Sequence, residues 1–61
     1  MSIALEIGSR QSGTLSQAQK RGRLIEDTHK YIIYRFVDGS EILFNKTSTG
    51  KVKSRSYTIY D

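Results

Sequence analysis

The chain contains no cysteine, which excludes disulfide bridges and thiolate metal sites. Its single histidine, His29, cannot form a structural zinc site alone, because such a site needs about four ligands. No apolar run approaches the ~20 residues that cross a bilayer. Residues 1–6 lack a basic flank and include an acid, so no signal peptide is expected there. These absences predict a soluble, cytoplasmic protein without a metal, a cofactor or a membrane partner.

The length of 61 residues predicts one small domain spanning residues 1–61. A chain this short buries only about 60% of the surface that its unfolded form exposes. With no disulfide or metal, its stability must come from its own apolar side chains or from a second subunit, so a homo-oligomer is an option. Ten Lys and Arg residues against six Asp and Glu give a net charge of +4. That excess favours encounter with a polyanion, either nucleic acid or an acidic protein.

The first apolar segment alternates with a period of two. Ile3, Leu5 and Ile7 alternate with Ala4 and an acid, and a glycine follows. This pattern predicts a half-buried strand over residues 3–7. The polar residues 9–13 have the composition of a turn or loop.

The residues that follow, from Thr14 onward, are compatible with two different structures. Thr14 followed by Gln17 fits a capping box, which predicts a helix around residues 14–26. Against this, Gly22 would lie inside the helix at a cost of about 1 kcal/mol relative to alanine. Otherwise residues 9–21 form a long loop with the composition of a mobile segment.

The clearest pattern is a hairpin around Asp38 and Gly39, which separate two segments rich in β-branched and aromatic residues. A two-residue turn would place polar residues opposite apolar ones. A three-residue loop over 37–39, with Gly39 in a left-handed bulge, groups the apolar residues on one face. The expected pairs are Phe36 with Ser40, Tyr34 with Ile42, and Ile32 with Phe44 on that face, and Arg35 with Glu41 on the other.

Residues 52–60 predict a closing strand with Tyr57 and Ile59 buried. The element order then fits an all-β fold, a small SH3-like antiparallel barrel of about five strands, in which closure protects the strand edges. The alternative is an α+β fold with one helix around residues 14–26 packed on an antiparallel sheet.

Catalytic patterns are absent from the sequence. His29 has no second histidine or cysteine with which to form a nucleophilic pair, and it lies in a charged turn. Glu26 and Asp27 are adjacent, and a strand sends adjacent side chains to opposite faces, so they are poor candidates for a paired acid and base. The sequence therefore predicts a non-enzymatic binding module.

Two candidate binding surfaces follow. A protein-binding patch is expected from apolar residues on the second face of the hairpin, which a small domain rarely buries: Tyr31, Ile33, Val37 and Leu43. A nucleic-acid-binding surface is the alternative, built from two basic clusters and an interleaved aromatic residue: Lys20, Arg21, Arg23, Lys51, Lys53, Arg55 and Tyr57.

The preferred function is protein–protein interaction, as an inhibitory or accessory protein steered by its positive charge to an acidic partner. The alternative is a basic nucleic-acid-binding domain. Nucleic-acid binding requires the two basic clusters to share one surface, whereas protein binding requires an exposed apolar patch with the charges scattered.

Overall fold

The chain forms two short helices followed by four strands. The computed structural model describes all 61 residues. The elements are α1 (Ile3–Gly8), α2 (Thr14–Arg21), β1 (Arg23–Asp27), β2 (Tyr31–Arg35), β3 (Glu41–Lys46) and β4 (Val52–Tyr60). The strands pair antiparallel in the order β1-β2-β3-β4, an open meander of consecutive neighbours. Neither helix has the length or apolar character needed to cross a membrane.

Both helices pack on one face of the sheet, and the core lies between them and the strands. Phe44 is at its centre, and its ring meets the ring of Tyr34 edge-on at 6.2 Å between centroids. The ring of Tyr57 lies 5.8 Å away on the neighbouring strand. The buried apolar residues are Ala4, Ile7, Ala18, Ile32, Tyr34, Phe36, Ile42 and Phe44.

The expected SH3-like barrel of about five strands is wrong, because the sheet is open and has four strands. The fold is α+β. The predicted strand over residues 3–7 is a helix, in which Ala4 and Ile7, three residues apart, are the buried positions. Ser2 caps this helix, accepting a hydrogen bond from the Leu5 N–H at 3.0 Å. Five alternating residues are too few to separate period two from a helical face.

The expected long loop over residues 9–21 is also wrong in its second half, which is α2. The helix of the α+β alternative exists but ends at Arg21, and residues 23–27 form β1. Gly22 caps the C-terminus, donating its N–H to the Ala18 carbonyl at 2.8 Å, so it lies outside the helix and carries none of the expected cost. Thr14 is the first helical residue and makes no capping bond, because Gly13 occupies the N-cap position.

The predicted hairpin register is confirmed. Ile32 pairs with Phe44, Tyr34 with Ile42, and Arg35 with Glu41. Gly39 has φ +90°, the left-handed conformation that the bulged turn requires. The Phe36 N–H donates to the Ser40 carbonyl at 2.8 Å, which closes the loop over residues 37–39.

Strand β4 spans the predicted residues 52–60, with Tyr57 and Ile59 half-buried on the helix side. Its pairing with β3 is irregular. Phe44 and Lys46 are two residues apart, whereas their partners Tyr57 and Val52 are five residues apart, so residues 53–55 are additional in β4. The Tyr57 hydroxyl donates to the Gly8 carbonyl and joins β4 to the end of α1.

Candidate functional site

The face of the sheet opposite the helices is uncovered, and we call it the open face. Along β2 and β3 every second residue is buried under the helices, and the residues between them point to the other side. Register then assigns their neighbours on β1 and β4 to the same side. The open face comprises Arg23, Glu26, Tyr31, Ile33, Arg35, Glu41, Leu43, Asn45, Ser56, Thr58 and Tyr60.

The centre of the open face is apolar. Ile33 and Leu43 lie directly opposite each other on β2 and β3, and both are half-buried. Tyr31 precedes Ile33 on the same face, and Tyr60 lies across from Glu41 on β4 with 52% of its surface exposed. Two tyrosines thus flank an aliphatic pair, and interfaces are enriched in tyrosine.

The charged groups of the open face are mostly paired with one another. Arg35 Nε lies 2.8 Å from Glu41 Oε2, and the Tyr31 hydroxyl donates to the Glu26 carboxylate. This hydrogen bond, followed by burial and the negative charge of Glu26, raises the pKa of Tyr31 above its ordinary value. Arg23 is directly across from Arg35 but has no carboxylate within 4.0 Å. One cation at the β1 side of the open face is therefore unpaired.

Three of the four residues predicted as a protein-binding patch share the open face: Tyr31, Ile33 and Leu43. Val37 does not, because it lies in the hairpin loop, 95% exposed and beyond the strand ends. Tyr60 is the residue that sequence reasoning missed. Alternation along β4 places the Tyr60 side chain on the opposite side of the strand from Ile59. The residues that surround Tyr60 depend on the β3–β4 register, and the irregular pairing of β4 makes that register unpredictable from the sequence.

Among the residues predicted to bind nucleic acid, Arg23 is separated from Lys51 and Lys53 by the width of the sheet. Arg23 begins β1, at one edge of the sheet, and Lys20 and Arg21 end the helix just before it. Lys51 and Lys53 are at the start of β4, the other edge, three strand spacings or about 14 Å away. Because Arg23 aligns with Arg35 whereas Val52 aligns with Lys46, Arg23 is also at the opposite end of the strands from Lys51 and Lys53.

Two members of that predicted set do meet elsewhere. Arg55 and Tyr57 line a groove on the helix side of the molecule, together with Arg10 from the α1–α2 loop and the first turn of α2. Lys51 and Lys53 do not line it. Arg10 was not predicted to have a role, because nothing local to residues 9–13 shows that the loop reaches β4.

No cluster that could hold a metal ion is present, and His29 is exposed in the β1–β2 turn. The Asp27 and Glu26 carboxylates have separate partners, Lys46 and Tyr31 respectively. The two adjacent carboxylates therefore do not share a partner.

Comparison with known protein families, with curated proteins and with solved structures gives no significant match. Function is therefore inferred from the residues and geometry of this chain alone.

Proposed function

We propose that this chain is a non-catalytic binding module that recognises another protein through the open face. The observation that supports this most directly is the uncovered aliphatic pair Ile33 and Leu43 with Tyr31 and Tyr60 on either side. A buried apolar centre with tyrosines and a polar rim is the usual composition of a protein interface.

The charge pattern of the open face favours a protein over nucleic acid. Glu26 and Glu41 both lie on it, and carboxylates beside the strands repel phosphates. The separation of Arg23 from Lys51 and Lys53 also gives the nucleic-acid alternative less support, because counterion release depends on many cations contacting one backbone.

The chemistry of the partner follows from the unpaired cation. Arg23 has no carboxylate of its own, and the chain carries a net charge of +4. An acidic protein that places apolar side chains over Ile33 and Leu43 and a carboxylate near Arg23 would complement this face. Long-range attraction would then speed encounter, and the effect would fall as salt is added.

Site-specific photo-crosslinking tests this proposal. A crosslinking amino acid at position 43 is expected to capture a protein that the same group at position 48 does not, since Ser48 is exposed in the β3–β4 turn. The captured protein, once purified, is expected to bind Leu43→Ala and Arg23→Glu at least about tenfold more weakly than the unmodified chain, a loss of about 1.4 kcal/mol. Ser48→Ala is the matched control and should bind normally.

Equal capture at positions 43 and 48, or normal binding by both open-face variants, contradicts the proposal. Arg23→Glu is included because Arg23 is exposed, so its effect does not depend on a change in folding. An amide NMR titration with short single- and double-stranded oligonucleotides tests the alternative. Saturable shifts at residues 20–23 and 51–57 that fade with salt would favour nucleic acid.

A further inference from the structure

A groove of about 670 Å³ lies between the α1–α2 loop, the first turn of α2 and the middle of β4. It is on the side of the sheet that the helices cover, opposite the open face. Eleven residues line it, two of them are arginines and none is acidic. The charged side chains that line the groove are therefore all positive, whereas the open face carries charges of both signs.

The start of α2 presents unused hydrogen-bond donors to this groove. Gly13 is the N-cap, with φ +74° and no side chain to accept a hydrogen bond. The backbone N–H groups of Thr14, Leu15 and Ser16 have no acceptor, and the first turn contains no acidic residue. These N–H groups carry the positive end of the helix dipole.

Thr14 supplies an independent observation. The residue is only 6% exposed, yet its hydroxyl makes no hydrogen bond with any other group of the chain. Every fully enclosed side-chain polar atom in the structure has a partner, so the Thr14 hydroxyl must reach the groove that the residue lines. Thr14 is otherwise enclosed by the fold, so its hydroxyl is a polar group that faces the groove and is available to a ligand there.

The two arginines complete the set of donors. The ion pairs of the chain are Arg21 with Glu6, Arg35 with Glu41, and Lys46 with Asp27, so Arg10 and Arg55 have no carboxylate within 4.0 Å. Arg10 Nε donates to the Ser12 carbonyl at 3.3 Å, which holds the side chain in the loop and leaves its terminal N–H groups free. Arg55 is one of the additional residues of β4, so the irregular pairing places it beside the groove.

We propose that this groove binds the phosphate group of a small phosphomonoester. The dianion would accept hydrogen bonds from the α2 backbone N–H groups and the Thr14 hydroxyl, and its two charges would be balanced by Arg10 and Arg55. The groove is larger than one phosphate, and the Leu15 and Tyr57 side chains in its wall offer apolar surface to the organic part of the ligand. This site is separate from the open face and does not depend on the proposed protein interaction.

An amide NMR titration at constant ionic strength tests the site with inorganic phosphate and with phenyl phosphate, using chloride as the reference. Saturable shifts are expected at residues 13–16 and 55–57, with a Kd on the order of 1 mM for inorganic phosphate and tighter binding of phenyl phosphate. Residues 33 and 43 of the open face should not shift.

Matched variants separate the site from general attraction by charge. Thr14→Val and the pair Arg10→Gln with Arg55→Gln should each weaken phenyl phosphate binding at least about fivefold, because each removes donors to the anion. The pair Lys20→Gln with Lys53→Gln removes the same charge outside the groove and should change the affinity by less than about twofold.

Three results would overturn the proposal. One is the absence of saturable shifts with either probe. Another is an equal loss of affinity in the charge-matched pair, which would mean a diffuse counterion effect. The third is tighter binding of a single-stranded oligonucleotide than of phenyl phosphate at the same amides, which would assign the groove to a phosphodiester backbone.

Discussion

The two helices begin in opposite ways. In α1 the first three N–H groups all donate to side chains: Ile3 to Asp38 Oδ2 at 2.8 Å, Ala4 to Ser40 Oγ at 3.1 Å, and Leu5 to Ser2 Oγ at 3.0 Å. In α2 the first three N–H groups donate to nothing. The first N–H groups of α1 thus stabilise the fold, whereas those of α2 are free to bind a ligand. The two helices differ because the fold places acceptor side chains beside the start of α1 and none beside the start of α2.

The largest expected effect comes from removing a cap of α1. Ser40 is only 3% exposed, so Ser40→Ala would leave the buried Ala4 N–H without an acceptor. We expect the free energy of unfolding to fall by about 1–3 kcal/mol in urea denaturation followed by circular dichroism. Ser48→Ala, on an exposed turn, should change it by less than about 0.5 kcal/mol. Equal effects of the two variants would mean that the cap contributes nothing.

The second effect depends on pH. Hydrogen bonds from the Ser40 hydroxyl, the Ile3 N–H and the Ser40 N–H lower the pKa of Asp38. Because this pKa is lower in the folded chain than in the unfolded one, the stabilisation is complete above an ordinary aspartate pKa of about 3.9 and is lost as the pH falls through the folded value.

The free energy of unfolding should therefore fall more between about pH 6 and about pH 3 for the unmodified chain than for Asp38→Asn, because the asparagine side chain cannot ionise. Identical losses in the two proteins would exclude a role for the Asp38 charge at the start of α1.

The smallest effect is expected at α2. Thr14→Val keeps the shape of the side chain and removes a hydroxyl that bonds to nothing within the chain, so the unfolding free energy should change by less than about 0.5 kcal/mol. Added phenyl phosphate should raise the Tm of the unmodified chain clearly more than that of the variant. A large loss of stability without ligand would show that the Thr14 hydroxyl is structural, and the contrast between the helices would disappear.

Sequence reasoning succeeded where the determinants are local. The hairpin register follows from Asp38-Gly39 and from the alternation on either side, within one continuous segment of the chain from Tyr31 to Asn45. The same register places Tyr31, Ile33 and Leu43 on one face. It could not include Tyr60, because the additional residues 53–55 offset the pairing of β4.

Sequence reasoning failed where the determinants are distant. Residues 3–7 form a helix whose first N–H groups are held by Asp38 and Ser40, more than thirty positions away. With residues 3–7 helical, the strands are too few for the expected barrel, and α1 covers one face of the sheet instead. The groove could not be predicted for the same reason, because Arg10 and Arg55, which both line it, are distant in the sequence.

The anchoring of α1 by the hairpin loop also has a consequence for the folding mechanism. A six-residue helix is far below the ~12–15 residues at which isolated helices become marginally stable. Because the loop that supplies its caps is closed by local contacts, the hairpin can form early, and α1 can persist only after it. Substitutions at the Asp38-Gly39 turn should therefore mainly slow folding, whereas substitutions within α1 should mainly accelerate unfolding. Helix α1 thus precedes the hairpin in the sequence but follows it in the order of folding.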